Sequence, residues 1–274
     1  MGMTPAPNPR QHGHRAPNVL IKDVEKYWDE RSAAYSAIVK DEMANAAMAA
    51  WQSVFQEKSA DVLSASEHPV ALDLGCGPGL FSILMAQLGF EVIAVDLSAG
   101  MLSQARANAI AAGVFDRISF IQGNVHDLPI ADNSVDLVAS RNVTWLMQDP
   151  MGAYREWLRV MKPSGKMLCF DANWHHYLVD SDLNALRAAD QQDIHDSGIT
   201  EEGLWTEEQN HRSELIALEL PSTYTQRPGW DQCALKFLGF SQVDVDVNVY
   251  QRLWSEEEKS FYATSPLFLI EAVK

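Results

Sequence analysis

The sequence predicts an α/β fold with a doubly wound sheet, and two observations lead to this prediction. From Pro69 onward, short apolar runs bounded by Gly, Asp and Asn alternate with segments of helical periodicity, as in a parallel sheet covered by helices. One of these runs leads directly into three glycines at alternate positions, Gly75, Gly77 and Gly79, and then into a helix. A glycine loop between a strand and a helix is a typical ligand-binding element of α/β proteins.

Seven strands are expected from the apolar runs. Five of them alternate with helices, and two more near the end of the chain lie close enough together to form an antiparallel hairpin at the sheet edge. The predicted strands cover residues 70–74, 91–96, 118–122, 135–140, 166–170, 243–249 and 265–273, and the predicted helices between the first five cover 80–88, 99–112 and 153–160. The sheet is therefore expected to be mostly parallel.

The chain divides into four predicted parts. Residues 1–18 contain four prolines and two glycines without apolar periodicity, which predicts a flexible tail. Residues 19–64 show helical spacing and predict two N-terminal helices. The core is expected over residues 65–171 and 231–274. Residues 172–230 form a connection too long for a structureless loop, which predicts a helical insertion that caps the substrate cleft.

Composition restricts the class of partner. The formal net charge is -16 and the pI is about 4.8, so the protein repels phosphate backbones and anionic lipids. We therefore expect a small-molecule substrate and neither a nucleic acid nor a membrane as partner. The three cysteines show no paired spacing, and no apolar run reaches the about 20 residues that span a bilayer. These features predict a reducing, cytoplasmic location, and they leave the oligomeric state open.

The glycine loop is not the one that binds dinucleotides. In the G-x-G-x-x-G pattern counted from Gly75, the third glycine falls on Leu80, so the spacing is wrong. Asp73 lies inside the strand just before the loop, where a carboxylate would repel a pyrophosphate and attract an α-ammonium group. The loop therefore suits a zwitterionic amino-acid moiety.

Two motifs carry a family resemblance. The stretch Leu72-Asp73-Leu74-Gly75-Cys76-Gly77-Pro78-Gly79 resembles the first motif of class I S-adenosylmethionine-dependent methyltransferases, close to the ubiquinone/menaquinone-biosynthesis-like branch, methyltransferase type 11. A second element, Val92-Ile-Ala-Val-Asp96-Leu97-Ser98, follows at the expected distance. The resemblance implies a Rossmann-like fold with S-adenosyl-L-methionine as cofactor, bound by Asp73, Gly75 and Gly77, and by Asp96 through the ribose hydroxyls.

Two further stretches extend the resemblance. Gly123-Asn124-Val125-His126-Asp127-Leu128-Pro129 is similar to the family segment whose first polar residue meets the adenine amino group, although Asn124 replaces the usual Asp. The resemblance implies that Leu97 and Val125 sandwich the adenine and that Met101 lies at its edge. The stretch 131–142 is similar to the family's fourth strand, which implies that Arg141 lies beside the methionine part of the cofactor.

A lid helix is implied by the N-terminal resemblance. Tyr27-Trp28-Asp29-Glu30-Arg31-Ser32-Ala33-Ala34-Tyr35 resembles the family helix that folds over the cofactor. Tyr27, Arg31 and Tyr35 share one helical face, and we expect them to contact the cofactor. Trp28 is expected to pack the helix onto the core.

Substrate-facing residues are expected after the fourth and fifth strands. His175 and His176 are the candidate catalytic bases, because a proton leaves when a hydroxyl or an ammonium is methylated. The candidate substrate contacts are Trp145, Asn173, Trp174 and Tyr177, and three insertion residues, Arg212, Tyr224 and Arg227, could approach from above. No metal is expected, since adjacent histidines point in divergent directions.

Several alternatives stay open on the sequence. An NAD(P)-dependent oxidoreductase shares the acidic residue after the second strand but requires the missing glycine, and a non-catalytic cofactor-binding protein fits the exchange at Asn124. The accepting atom, whether O, N, C or S, is undetermined. Acidic clusters at 201–202, 207–208 and 256–258 could attract a cationic acceptor.

Overall fold

The structure is a computed structural model that describes residues 17–196 and 206–274. Its centre is a seven-stranded sheet in the order β3-β2-β1-β4-β5-β7-β6. The strands are β1 (Val70–Leu74), β2 (Glu91–Asp96), β3 (Ile118–Gln122), β4 (Val135–Arg141), β5 (Met161–Asp171), β6 (Gln242–Asp246) and β7 (Phe268–Val273). The first five strands are parallel, and β7 pairs antiparallel with both β5 and β6. The predicted α/β fold class is confirmed.

Ten α-helices surround the sheet in the described part of the chain. They are α1 (Pro17–Ala44), α2 (Ala46–Ala65), α3 (Leu80–Leu88), α4 (Ala99–Ala111), α5 (Pro150–Val160), α6 (Ser181–Asp196), α7 (Glu207–Ala217), α8 (Gly229–Leu238), α9 (Tyr250–Leu253) and α10 (Glu256–Phe261). None of the described helices combines the length and the apolar composition that crossing a bilayer requires.

The last two strands differ from the prediction in their bounds. Both are shorter than expected, because α9 and α10 occupy the connection between them. The strand β7 inserts between β5 and β6, so β6 forms the sheet edge. Alternation of Val and Asp suits such an edge, since one face of β6 is covered and the other is solvated.

Each face of the sheet is covered by its own layer of helices. On one face, α2 and α3 pack an aromatic cluster against β5, with Phe55 and Phe81 at 4.6 Å and Trp51 and Phe170 at 5.1 Å between ring centroids. On the other face, helices α5 and α8 bury their apolar sides against the same strands. Two covered faces explain why the central strands read as continuous apolar runs.

The first helix is fastened to the start of α4. A carboxylate oxygen of Asp29 accepts hydrogen bonds from the Ser98 hydroxyl and the Gly100 amide. The approach is close, because a Cβ on Gly100 would lie 2.8 Å from the Ser32 hydroxyl oxygen. Asp29 therefore supplies an acceptor for the N–H groups at the start of α4 and fixes α1 above the carboxyl ends of the strands.

The connection after β5 is helical where it is described. Helices α6 and α7 lie in it, and Tyr177 donates a hydrogen bond of 2.8 Å from its hydroxyl to Glu214 of α7. Residues 197–205, which include one predicted acidic cluster, lie outside the described residues, as do residues 1–16 of the predicted tail. The other acidic clusters form the first turns of α7 and α10, where negative charge stabilises the helix N-terminus.

Candidate functional site

The glycine loop adopts a backbone that requires glycine. Gly75, Gly77 and Gly79 have φ angles of +63°, +51° and +95°, in the left-handed region. A Cβ on Gly75 would lie only 2.3 Å from a methyl carbon of Val143, so any larger residue would also clash there. The loop lies at the carboxyl ends of β1 and β4, where the order of the strands reverses and open α/β sheets bind ligands.

Two buried carboxylates flank this loop. Asp73 accepts a hydrogen bond of 2.5 Å from the Ser82 hydroxyl, and burial raises its pKa to about 7, with the nearby Asp96 charge adding to the rise. Asp96 accepts hydrogen bonds of 2.8 Å from the amides of Gly77 and Ser98, and burial raises its pKa to about 6 despite these bonds. Both carboxylates therefore gain by meeting a cation or a pair of hydroxyl donors.

Most of the predicted cofactor residues line one cleft at the carboxyl ends of β1, β2 and β4. They are Tyr35, Asp73, Gly75, Gly77, Asp96, Leu97, Met101, Asn124, Val125 and Arg141. These motifs are far apart in sequence. They meet because the carboxyl ends of parallel strands lie at the same edge of the sheet.

Tyr27 and Arg31 do not line this cleft. Tyr27 is 2% exposed and its hydroxyl donates to the backbone oxygen of Gln209, while Arg31 is 1% exposed and donates to the Gln209 side chain at 2.9 Å. They join α1 to α7 of the insertion. The face of α1 toward the cleft instead carries Trp28 and Tyr35, which are seven residues apart and so lie on the same side of a helix.

Two buried polar atoms of the cleft lack a hydrogen-bond partner. They are the indole nitrogen of Trp28, a donor, and the amide oxygen of Asn142, an acceptor. Asn142 also has a φ of +58°, a strained conformation for a residue with a side chain. Buried polar atoms are almost always paired in proteins, so this donor and this acceptor are available to a ligand that enters the cleft. The sequence prediction assigned neither residue to the cofactor.

The side-chain oxygen of Asn124, which the sequence predicts to accept from adenine, contacts His126. This oxygen accepts from the His126 amide at 3.1 Å and contacts the His126 Nδ1 atom at 2.8 Å. The backbone N–H can only donate, so this side-chain atom must be the oxygen. Burial lowers the pKa of His126, which keeps the ring neutral. The oxygen expected to accept from adenine is therefore shared with His126.

A second cavity adjoins the first. It has a volume of about 510 Å³ and shares Trp28, Tyr35, Arg141 and Asn142 with the cofactor cleft. Four of the residues predicted to be catalytic or to contact the substrate line it, namely Trp145, Trp174, His175 and Tyr177. We call it the acceptor cavity. Its other lining residues come from α1, α2, α6, α7 and α10 and from the segments that flank α10.

A buried ion pair lies at the boundary of the two cavities. Arg141 donates to both oxygens of Glu42 at 2.6 and 2.8 Å, and Glu42 also accepts from the Trp51 indole at 2.7 Å. Burial acts to raise the pKa of Glu42, but the Arg141 charge and these hydrogen bonds outweigh it and keep the pKa low. The Arg141 guanidinium is thus held by protein, as a bidentate pair in a buried site requires.

The two candidate histidines have different surroundings. His175 lines the acceptor cavity, contacts Trp145 at 4.7 Å between ring centroids, and has a buried Nδ1 atom without a partner. Burial, aided by the charge of Arg187, lowers its pKa to about 3, so the ring is neutral. His176 lies outside the cavity, where its Nδ1 atom contacts the Thr223 carbonyl oxygen at 2.9 Å.

Four other residues expected near the substrate lie elsewhere. Asn173 donates to the Arg227 carbonyl oxygen at 2.8 Å, and Tyr224 donates to the Leu218 carbonyl oxygen at 2.8 Å. Arg212 pairs with Glu30 of α1. Arg227 is buried and pairs with Asp231 and Asp171. None of the four lines either cavity, and each is held by a partner within the protein.

Asp171 at the end of β5 fixes two walls of the acceptor cavity. One oxygen accepts from the Trp174 indole nitrogen at 2.9 Å, and the other accepts from the Trp145 amide at 3.0 Å and from the Thr144 hydroxyl. Arg227 neutralises the charge of this buried carboxylate. Two tryptophans that line the cavity thus depend on one carboxylate. Among the described residues, no group of three His, Cys, Asp or Glu side chains has the arrangement of a metal site.

Comparisons with known proteins agree with the fold. Residues 72–169 match the family model for a methyltransferase domain. The ubiquinone/menaquinone biosynthesis C-methyltransferase of Hahella chejuensis is 33% identical over 152 residues, which cover 54% of this chain and 59% of that protein. The malonyl-[acyl-carrier protein] O-methyltransferase of Yersinia pestis is 38% identical over 99 residues, covering 36% of this chain and 35% of that protein.

A solved structure from Methanococcus maripaludis, described as an S-adenosyl-L-methionine-dependent methyltransferase, shares the fold with a TM-score of 0.52 at 23% identity, over 100% of this chain and 97% of that one. The chain spans less than two thirds of the length of the curated relatives that it matches. The domain match, the relatives and the seven-stranded sheet identify residues 72–169 as a methyltransferase domain of the class I S-adenosylmethionine-dependent kind, similar to that of the ubiquinone and menaquinone C-methyltransferases.

Proposed function

We propose that the protein transfers a methyl group from S-adenosyl-L-methionine to a small-molecule acceptor in the cytoplasm. The observation that carries this proposal is the pair of adjoining cavities with an unpaired donor and an unpaired acceptor at their boundary, Trp28 Nε1 and Asn142 Oδ1. A cofactor in one cavity and an acceptor in the other would meet at this boundary.

The chain's polar groups fit the cofactor. Asp96 keeps lone pairs on both oxygens for the ribose hydroxyls, since each oxygen accepts one backbone N–H. The unpaired Trp28 indole N–H suits the cofactor's carboxylate, and Asn142 Oδ1 and the Asp73 charge suit its ammonium group. Leu97 and Val125 supply apolar surface for the adenine. Asn124 lines the cleft and keeps its amide N–H groups as donors, since its oxygen is shared with His126.

The cofactor supplies a methyl group bonded to a sulfonium, which is attacked in line by the acceptor. The protein's task is to hold the accepting atom about 3 Å from the methyl carbon and to exclude water. The shared residues Tyr35, Arg141 and Asn142 surround this point. Because Arg141 is paired with Glu42, its guanidinium is not free to bind the acceptor and draw it away from the methyl group.

His175 is the residue we propose to receive a proton when the acceptor loses one. It lines the acceptor cavity, it is neutral, and its Nδ1 atom has no partner. A pKa of about 3 makes it a weak base, so it acts as a hydrogen-bond partner that orients the acceptor and takes the proton only as the methyl group is transferred. We assign no such role to His176, which lies outside the cavity.

A capped cavity supports a small acceptor over a macromolecule. The acceptor cavity is covered by α6 and α7, and the net charge of -16 disfavours a nucleic-acid acceptor. The methyltransferase relatives named above act on different classes of molecule, so the accepting atom is left open by the comparison. Nothing observed favours the nicotinamide alternative, and Asp73 disfavours it because a carboxylate repels a pyrophosphate.

Calorimetric titration with S-adenosylhomocysteine and with NADH tests the proposal. We expect S-adenosylhomocysteine to bind with micromolar affinity and NADH not to bind, and Asp96→Ala to weaken the first by about tenfold or more. Asp116→Ala is the matched control, since Asp116 lies outside the cleft. Binding of NADH, or unchanged binding by Asp96→Ala, would refute the assignment of the cleft.

A further inference from the structure

The acceptor cavity contains one guanidinium that the protein leaves without a carboxylate. Arg187 of α6 lines the cavity, and within the described residues no carboxylate or hydrogen-bond acceptor pairs with it. The other arginine of this cavity, Arg141, is held on Glu42. A carboxylate does line the same cavity, since Glu214 is part of its wall, but it accepts from the Tyr177 hydroxyl.

The orientation of Arg187 leaves its donors available. Its guanidinium carbon lies 4.2 Å from the centroid of the Tyr177 ring, so the aromatic face holds it in place. A cation held on a ring face keeps N–H groups along its edge, and these match the two oxygens of a carboxylate. Tyr177 is itself fixed by its hydrogen bond of 2.8 Å to Glu214.

A second unsatisfied group lies along the same wall. The Nδ1 atom of His175 is buried without a partner, while its Nε2 atom contacts the Ser213 hydroxyl at 3.3 Å. The rings of His175 and Tyr177 are 6.1 Å apart between centroids. The wall therefore offers a hydrogen-bonding atom at His175 and a positive charge at Arg187, with aromatic surface between them.

The aromatic side chains of the cavity form walls and not a cage for a cation. Trp174, Trp254 and Tyr262 pack against one another with ring centroids 5.4 to 6.4 Å apart. Rings in direct contact leave no space between them for an ammonium group, whereas their outer faces suit a flat apolar body.

The carboxylates of the cavity are already engaged. Glu42 pairs with Arg141, Glu214 accepts from Tyr177, and Glu258 accepts from the Ser255 amide at 2.8 Å. The charge that is left without a partner is therefore positive. Glu214 flanks the same tyrosine as Arg187, so it would repel a doubly charged group such as a phosphate more than a carboxylate.

We infer that the methyl acceptor is an aromatic molecule with a single carboxylate, which Arg187 binds, and with a hydroxyl or amino group that reaches His175. The inference rests on the proposed function and specifies the acceptor of that same site. Binding of the carboxylate would also offset the charge of Arg187, which is a secondary cause of the lowered pKa of His175 after burial. The same group would then make His175 a better proton acceptor.

Three probes that share one ring system and differ in a single substituent, which is anionic, neutral or cationic, test this inference. They are a hydroxynaphthoate, the corresponding hydroxymethyl naphthol and the corresponding aminomethyl naphthol, each titrated calorimetrically into protein saturated with S-adenosylhomocysteine. We expect the carboxylate to bind at least about tenfold more tightly than the alcohol and the amine, as one charge-assisted contact provides. Arg187→Gln should remove that preference and leave binding of the alcohol within about twofold.

The control is Arg117→Gln, which removes the same charge at an exposed position paired with Glu91, far from the cavity lining. It should keep the preference for the carboxylate. Equal binding of the three probes, a preference for the amine, no measurable binding of any probe, or a preference that survives Arg187→Gln would overturn the inference. Loss of S-adenosylhomocysteine binding would instead refute the proposed function, so the two failures are distinguishable.

Discussion

The cofactor cleft and the acceptor cavity are built in different ways. The cleft is made of short motifs at the ends of adjacent parallel strands, and its geometry depends on backbone conformation and buried carboxylates. The acceptor cavity is made of side chains from five helices, from the loops after β4 and β5 and from the segments that flank α10, which are scattered through the chain. The first kind of site is readable from sequence spacing, whereas the second depends on tertiary packing. The cleft and the cavity should therefore be disrupted by different substitutions.

The largest expected effect is at the glycine loop. Gly75→Ala should reduce affinity for S-adenosylhomocysteine by about a hundredfold or more, because a Cβ there would lie 2.3 Å from Val143 and the residue has a φ of +63°. Calorimetric titration measures the loss. Gly113→Ala is the matched control, since Gly113 has a φ of +71° but open space around its Cβ, and it should bind normally. Equal losses in both variants would mean that backbone strain alone, not the shape of the loop, weakens binding.

A substitution at Asp171 should disrupt the acceptor cavity and leave the cofactor cleft intact. Asp171→Asn leaves a donor where Trp145, Trp174 or Thr144 needs an acceptor and leaves Arg227 without one of its carboxylates. We expect a loss of about 3 kcal/mol in the free energy of unfolding, as for a broken buried ion pair, and a shift in tryptophan fluorescence. Urea unfolding measures the first quantity.

The exposed Asp132→Asn, which loses a surface pair with Arg159, should cost less than about 1 kcal/mol. Affinity for S-adenosylhomocysteine should stay within about threefold in Asp171→Asn. A tenfold loss of that affinity would show that the two regions are not separable.

Cofactor binding should depend on pH through Asp73. Its pKa is about 7 in the free protein because of burial, and only its charged form attracts an ammonium group. Binding should therefore weaken as the pH falls, by about tenfold between pH 8 and pH 6. Affinities from calorimetry at a series of pH values give the profile. Asp73→Asn should bind more weakly at high pH and lose most of this dependence; an unchanged profile would assign it to another group.

A smaller loss of affinity for S-adenosylhomocysteine is expected from a substitution at Trp28. Trp28→Phe keeps an aromatic ring and removes the indole donor, which lacks a partner within the protein. We expect affinity for S-adenosylhomocysteine to fall by about fivefold, the loss of one hydrogen bond. Trp230→Phe on α8, which lines neither cavity, serves as the control. Identical affinities in wild type and Trp28→Phe would mean that the ligand does not meet this donor.

The sequence predicted the sheet well because short-range signals determine it. The bounds of β1, β2 and β3 agree with the prediction, since each apolar run ends at a glycine or a polar turn residue. The end of the chain was predicted less well, because α9 and α10 are too short to show a helical period. The hairpin pairing was still confirmed, since β6 and β7 pair antiparallel.

The face of α1 shows why part of the site was missed. Tyr27, Arg31 and Tyr35 are compatible with one helical stripe, but so are Trp28 and Tyr35, and the sequence does not say which stripe faces the cleft. That choice depends on the insertion, because Gln209 of α7 binds Tyr27 and Arg31. For the same reason Glu42 could not be assigned, since its partner Arg141 lies far away along the chain.

Transfer of a labelled methyl group tests most directly the claim that the two cavities form one active site. The protein is incubated with S-adenosylmethionine labelled in its methyl group and a low-molecular-mass cell extract, and the label is followed into small molecules and macromolecules. We expect label in the small-molecule fraction with wild type and almost none with Asp96→Ala. Label in nucleic acid or protein, or equal transfer by the two proteins, would contradict it.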